Sequence, residues 1–478
     1  MSDAVLALDQ GTTNSKAILI ERDGKILASG TAPVGITHPR PGWVEQDATD
    51  IIASQMAAIK TCLANAPDVS IAAIGISNQR ESVVAWERST GAPLGPVISW
   101  QCRRTADVCA ALQAAGHSEA VLAKTGLPLD PMFPATKLAW LLKHAGRSDI
   151  CLGTIDAWLI FALTGGAVHA TDGANAARTQ LLNLKTAAWD EDLADLFGVP
   201  LAALPEVKNS SGIFGKTAIE GLPAGIPITA AIGDSHAALF AQGAFRPGDA
   251  KVTFGTGSSV MSTIEAFAPP PEGLTTTIAW MLDGTATYAF EGNILVSAAI
   301  FPWTADLLGL PDVAALMDLA ATVEDAGGVS LVPAHLGLGA PHWSTTAKGA
   351  IEGLSFGTKP AHIARAAQDS MALQVHDIFA AMGQAPARVF VDGGPTRNAA
   401  LMAIVAATLD HPIKIRDVAE ASALGAGYLA GLATGFFESR EAIANLLPAA
   451  QTVAPEKMPG RDEMVANWNA AIGRLLAG

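Results

Sequence analysis

The chain predicts an α/β protein built as two lobes, and three observations carry that prediction. Its 478 residues are too many for one ordinary domain and suit two. Half of them are hydrophobic, which supplies material for two cores. Strand-like apolar runs alternate with helical patterns in both halves, and one strand–polar turn–strand pattern occurs twice, about half a chain apart.

The first copy is the apolar run 5–8, then Asp9-Gln10-Gly11-Thr12-Thr13-Asn14-Ser15-Lys16, then the apolar run 17–20. A tight polar turn between two strands with a carboxylate at its lip can hold a nucleotide. Gly11 lets the backbone approach a phosphate, Thr12, Thr13 and Lys16 offer donors to its oxygens, and Asp9 is placed to hold the hydrated Mg²⁺ that accompanies ATP. Alone, these residues fit a surface hairpin with a polar turn equally well. The second copy, 250–264 with Gly255-Thr256-Gly257-Ser258-Ser259 at its turn, favours a duplicated fold gripping one nucleotide between two lobes. Neither copy is a Walker P-loop, and the first lacks the further glycines of a dinucleotide fingerprint.

Between the copies the pattern predicts a helix over 47–64 and a buried strand over 71–77 that ends in Asn78-Gln79-Arg80-Glu81. Helices are expected over 105–115 and 136–144, the second with Trp140 on its apolar face. A Pro/Gly-rich stretch, 221–227, precedes a buried strand over 228–232. That strand ends in Gly233-Asp234-Ser235-His236, with a helix beginning near Ala237. The turn signal at 245–249 sets lobes of 1–246 and 247–478. In the second lobe a long helix is expected over 361–382, and a strand over 388–391 runs into Asp392-Gly393-Gly394.

A net charge of −15 argues against nucleic acid or an anionic membrane as partner, since their phosphates would be repelled. Cys62, Cys102, Cys109 and Cys151 form no C-x-x-C pair and read as reduced thiols of a cytoplasmic protein. The ten histidines show no zinc-ligand spacing. The start of the chain has no basic region of the kind a signal peptide carries. The apolar stretch 421–437 holds four glycines and falls short of a membrane span, so it is expected to be a packed helix with small-residue faces in a soluble protein.

With these pieces placed, the chain resembles the FGGY carbohydrate kinase family, and the glycerol kinases within it, over nearly its whole length. The resemblance runs through Ala7-Leu8-Asp9-Gln10-Gly11-Thr12-Thr13, Pro41-Gly42-Trp43-Val44-Glu45, Asn78-Gln79-Arg80-Glu81 and Trp100-Gln101-Cys102-Arg103-Arg104-Thr105. One family signature is met over 132–144, including Lys137 and Trp140. A second is nearly met over 349–369, with Gln368 where an aliphatic residue is usual. The resemblance implies two lobes of the ribonuclease-H-like fold shared with actin, hexokinase and Hsp70, and an active site in the cleft between them. It implies ATP and Mg²⁺ as cofactors, a small polyol or sugar as substrate, and a homo-oligomer, dimer or tetramer.

It also implies roles for residues. Asp234 matches the catalytic base, although an Asp before Ser235-His236-Ala237 is also a good helix N-cap. Arg80 and Glu81 match the polyol-binding pair; without the resemblance they read as a surface ion pair. Trp100 matches the indole that covers the carbon face of the substrate, or else is a core tryptophan. Thr12, Thr13, Asn14, Lys16, Gly255, Thr256, Gly394 and Asn398 match nucleotide-binding positions. Asp9 matches the residue that holds the metal.

The chain departs from the glycerol kinases in its pocket. Met132 stands for a tyrosine, Ser235 for a glutamine and Ser259 for a phenylalanine, which predicts a roomier, differently polar acceptor site that a four- or five-carbon polyol or sugar would fill. Ala298 and Pro302 stand for glycine and glutamine on the nucleotide side. The loop 221–225 is short and carries no arginine, so no effector regulation is inferred from it. Two other functions fit the same fold: an ATP-hydrolysing switch, which would need a further substrate-binding module, and a catalytically silent regulator, which would have no chemical need for Asp9, Arg80, Glu81 and Asp234 together.

Overall fold

The apolar run 5–8 does not alternate because both faces of its strand are covered. In the computed structural model, which describes residues 2–146, 149–416 and 418–477, Ala4, Leu6 and Leu8 point into one core and Val5 and Ala7 into another. The strand is β1 (Ser2–Gln10), followed by β2 (Asn14–Ile20) and β3 (Ile26–Pro33). Helix α1 (Ala48–Ala64) is capped by Asp47, whose side chain accepts from the Thr49 and Asp50 amides. Then come β4 (Val69–Asn78), helix α2 (Pro134–Ala145), the short helix α3 (Gly173–Ala177), β5 (Ser211–Lys216), β6 (Pro227–Gly233) and helix α4 (Asp234–Ala241). The first sheet has the order β5-β6-β4-β1-β2-β3, with β4 parallel to both β1 and β6 and the hairpin strands antiparallel.

The second half repeats this plan. Its strands are β7 (Asp249–Phe254), β8 (Ser258–Ile264), β9 (Thr275–Leu282) and β10 (Thr285–Ile294), then helix α5 (Pro360–Met382), β11 (Arg388–Gly393), helix α6 (Ala399–Leu409), β12 (Ile413–Ile415), helix α7 (Ala421–Thr434) and β13 (Gln451–Val453). The sheet order is β9-β10-β8-β7-β11-β12-β13, with β7/β8 antiparallel and β7/β11 and β11/β12 parallel. In each lobe an antiparallel set is extended by parallel strands, so the duplication read from two turns extends to whole sheets.

Two helices sit between the sheets. Helix α7 comes from the second half but packs on β4, β1 and β6 of the first sheet and on α4. Helix α4 leans on the second sheet: the Phe240 and Trp280 rings meet edge to face at 5.2 Å, and Gln242 Nε2 donates to Asp392 Oδ2 at 2.9 Å. The small residues of the stretch 421–437 make this crossing possible. A Cβ added at Gly425 would overlap the Ala237 carbonyl of α4. That stretch is the packed helix expected, and no helix among the described residues is long and apolar enough to cross a membrane.

Helix α4 begins earlier than the sequence suggested. It starts at Asp234, with Gly233 as N-cap, so Asp234 is the first helical residue and not the cap. Its carboxylate is thereby freed from the second- or third-residue amide that a capping Asp would accept from. It accepts from the adjacent Ser235 amide, at 2.6 Å.

Candidate active site

Strands β4 and β6 run parallel and end side by side, delivering Gln79-Arg80-Glu81 and Gly233-Asp234-Ser235 to the same sheet edge. Gly233 is needed there, because a Cβ on it would run into Arg80 Cγ. Arg80 Nε lies 3.4 Å from Asp234 Oδ1, and its Nη2 lies 2.8 Å from Glu291 Oε1 on β10 of the second lobe. Glu81 is 4.0 Å from Arg80 but pairs more closely with Arg178 Nε, at 2.6 Å. Arg178 also reaches Glu291 Oε2, at 2.8 Å. Arg80 and Glu81 are therefore not a surface pair: they belong to a buried ring of two guanidinium groups and two carboxylates that spans both lobes, with Asp234 on its rim.

Burial alone would raise the Glu291 carboxyl, but Arg178 and Arg80 more than offset it and hold it well below the usual carboxylate range. Burial likewise opposes the charge on Arg80, and Glu291, Glu81 and Asp234 outweigh it. The pairing explains how so much charge is tolerated. Among the described residues, Arg80 Nη1 and Arg178 Nη2 have no hydrogen-bond acceptor. Asp234 keeps 38% of its side chain exposed, and burial of the remainder raises its pKa although Arg80 pulls the other way.

Four backbone carbonyls converge on one buried ammonium. Lys137 Nζ of α2 donates to Met132 O at 2.7 Å and Ser99 O at 3.0 Å, and approaches Trp100 O at 3.4 Å and Glu81 O at 3.5 Å. Burial lowers its pKa to about 7. Three of those carbonyls belong to Glu81, Trp100 and Met132, so one side chain joins the separate segments expected to line the acceptor pocket. The Trp100 indole is half-buried and its Nε1 donates to Thr12 Oγ1 at 3.1 Å, which joins that wall to the first hairpin.

The first hairpin turns through a Gly11 amide to Asn14 carbonyl bond of 2.9 Å and leaves Thr13 and Asn14 exposed. Asp9 at the end of β1 accepts from Ser77 Oγ at 2.9 Å. Burial first, and Asp234 second, push its carboxyl up to about 6. Lys16 lies opposite Asp9 in the register, and its ammonium sits 2.7 Å from Glu420 Oε2, at the N-terminus of α7. Beneath the turn, Gln10, Gln46 and Gln79 exchange side-chain bonds and hold the backbone oxygens of Gly11 and Thr12.

The second turn is tied to its neighbour in the same lobe: the Ser297 amide donates to Thr256 O at 2.8 Å and the Ala298 amide to Gly255 O at 3.0 Å. Gly393 pairs in register with Phe254, which sets Gly394 beside Gly255. Asn398 is the N-cap of α6, accepting the Leu401 amide at 3.0 Å. Gly255, Thr256, Ala298, Gly394 and Asn398 thus gather at one end of the second sheet, while Pro302 lies exposed on the short helix that follows.

Three charged residues here escaped the sequence reading: Arg178, Glu291 and Lys251. Lys251 is buried, approaches Ser235 O at 3.5 Å, and is held below its ordinary pKa by burial. None stands in a motif that marked it in the sequence, and their contacts appear only in the fold.

The fold has two α/β lobes, each with a polar hairpin, and the Asp234 carboxylate stands partly exposed where they meet. Residues 4–241 match the model of the FGGY family of carbohydrate kinases, N-terminal domain, and residues 250–434 match that of its C-terminal domain. The chain is 44% identical to the apulose kinase of Pectobacterium atrosepticum and 45% identical to the glycerol kinase of Aromatoleum aromaticum, with 98% of each chain covered in both cases. It superposes on the crystal structure of Plasmodium falciparum glycerol kinase with ADP at a TM-score of 0.94 and 30% identity, covering 99% of this chain and 98% of that one. The protein belongs to the FGGY family of carbohydrate kinases. It is an ATP-dependent phosphotransferase for a hydroxyl of a small polyol or sugar, and not a switch or a silent regulator.

Proposed function

We propose that this kinase phosphorylates a terminal hydroxyl of a four- or five-carbon polyol or keto sugar, with Asp234 as general base. The observation that carries the mechanism is the Asp234 carboxylate at the cleft-facing start of α4, uncapped, with a raised pKa and Arg80 Nε 3.4 Å away. It accepts the acceptor's hydroxyl proton as that oxygen attacks the γ-phosphorus and ADP departs. Arg80, with its free Nη1, and Glu81 offer donor and acceptor to the neighbouring hydroxyls, and Trp100 covers the carbon face.

Thr12, Thr13, Asn14 and Lys16 from one hairpin and Gly255, Thr256, Ala298, Gly394 and Asn398 from the other hold the nucleotide. Asp9 fits a divalent cation, because burial first and Asp234 second push its carboxyl up, and a cation there would offset both carboxylate charges. Such an ion supplies neutralisation of the phosphate oxygens during transfer.

The acceptor's size follows from Met132, Ser235 and Ser259, which leave room where larger side chains would close on a three-carbon chain. The relative named apulose kinase supports an acceptor beyond glycerol. Coupled ADP release with Mg-ATP across glycerol, erythritol, the threitols, erythrulose, apulose and the ketopentoses tests this reading. A four- or five-carbon compound should give the highest kcat/KM, and Asp234→Asn should lower kcat about 10²- to 10⁴-fold. A glycerol preference over every longer acceptor, or an Asp234→Asn variant within about threefold of wild type, overturns it.

A further inference from the structure

Register places four residues of the second sheet in one row: Asp392 of β11, Thr253 of β7, Ser259 of β8 and Asn293 of β10. Directly paired residues project from the same face. That face is the one turned toward α4 and the first lobe, since the intervening Val252, Phe254 and Val260 lie in the opposite core, among α5 and α6. The adjoining row on the same face is Phe390, Lys251, Met261 and Glu291. Lys251 reaches the Ser235 carbonyl and Glu291 reaches Arg80. The first row lies one pleat further, about 7 Å along the strands, toward the turn at 255–257. It therefore sits between the base-bearing start of α4 and the second hairpin.

The row is polar and largely unpartnered. Asp392 accepts from Gln242 Nε2 at 2.9 Å. The hydroxyls of Thr253 and Ser259 are buried and make no hydrogen bond, and the half-buried Asn293 amide makes none among the described residues. Leaving buried hydroxyls unsatisfied costs free energy that a bound oxygen would recover. Ser259 stands between Thr253 and Asn293, and an amide beside a hydroxyl both donates and accepts, so the pair suits a carbonyl oxygen or a hydroxyl equally.

From this row, and resting on the acceptor reading above, we infer a second acceptor subsite: Asn293, with Ser259 and Thr253, binds the oxygens of a polyhydroxy ketone or polyol beyond the three carbons that Arg80 and Glu81 address. Asn293 is then a specificity-determining residue. Glycerol has no fourth carbon to place there, whereas a tetrulose brings one further oxygen to the row and a linear ketopentose two.

The test is the ratio of kcat/KM for a four- or five-carbon ketose (erythrulose, apulose and xylulose in turn) to that for glycerol. It is measured in wild type, Asn293→Ala and the Ser259→Ala/Asn293→Ala double variant, with a thermal melt of each. The ratio should fall about tenfold in the single variant and further in the double, chiefly through the ketose KM. Asn293→Leu, which keeps the volume and removes the amide, repeats the measurement should the alanine variant fold poorly. A ratio within about threefold of wild type in every variant overturns the subsite. A rise in KM for ATP with the ratio held also overturns it, by assigning the row to the nucleotide. If wild type prefers glycerol the acceptor reading fails separately, while the change in ratio still decides the role of Asn293.

Discussion

Asp9 is the residue at which pH should act on nucleotide binding. Burial and the nearby Asp234 carboxylate raise it to about 6, so the group is largely neutral below that pH and charged above it. Affinity for Mg-ADP should accordingly tighten as pH rises from about 5 to 7, and Asp9→Asn should flatten that dependence in a titration series. The same shift fixes a sign for stability. A carboxyl raised on folding binds more protons in the native state, so its contribution to ligand-free stability is present below pH 3.8 and is lost as pH rises through about 6. A Tm that climbs across that window in Asp9→Asn relative to wild type reports this contribution.

At the scale of elements, Lys137 on α2 fastens segments that are far apart in the chain. Lys137→Met removes a charged donor from the carbonyls of Ser99 and Met132 and from those of Glu81 and Trp100 nearby. The acceptor KM should rise about tenfold while the KM for ATP moves far less, because the tied segments are those proposed to line the acceptor site. Equal changes in both would place Lys137 in general stability. The α4–α7 crossing makes a second prediction. Gly425→Ala drives a methyl group into the Ala237 carbonyl, which should destabilise by about 1–3 kcal/mol and lower the Tm. An unchanged melt would show that the helices separate at no cost.

On the scale of the molecule, the ring of Arg80, Glu81, Arg178 and Glu291 is where the lobes meet electrostatically. Glu291 is the one carboxylate of that ring contributed by the second lobe, and it is wholly buried. Glu291→Gln leaves two guanidinium groups undercompensated in the interior, so unfolding in urea should show a loss of about 3–5 kcal/mol. Activity should fall with it, as Arg80 loses the partner that orients it toward Asp234. The arrangement of α4 and α7, each reaching to the other half's sheet, couples the lobes mechanically.

Much of this was legible in the chain. Doubly buried strands write themselves as continuous apolar runs, and polar hairpin turns as Gly/Thr/Ser clusters, so β1, β2, β7 and β8 and their turns could be read from local pattern. The helices over 48–64, 360–382 and 421–434 followed from periodicity and from Asp, Pro and Gly punctuation. Asp9 could be picked out because it ends a buried strand beside a polar turn, whereas Arg80 and Glu81 read locally as a surface ion pair and Asp234 equally as a helix cap, and only the family resemblance gave them roles. The start of α4 was misplaced, since an Asp before Ser235-His236-Ala237 is a good cap by local pattern whereas the helix begins at Asp234 with Gly233 as N-cap. The partners of Arg80 and Glu81 could not be read. Ion pairing depends on distance in space, and Arg178 and Glu291 lie about a hundred and two hundred residues away along the chain. The row of Thr253, Ser259 and Asn293 exists only in the register of three strands. The sequence by itself determined which strands and turns form and which carboxylates stand at their ends, because those are local properties. Tertiary structure alone decided which charges neutralise one another and which hydroxyls are left without a partner, because those depend on how the two sheets face.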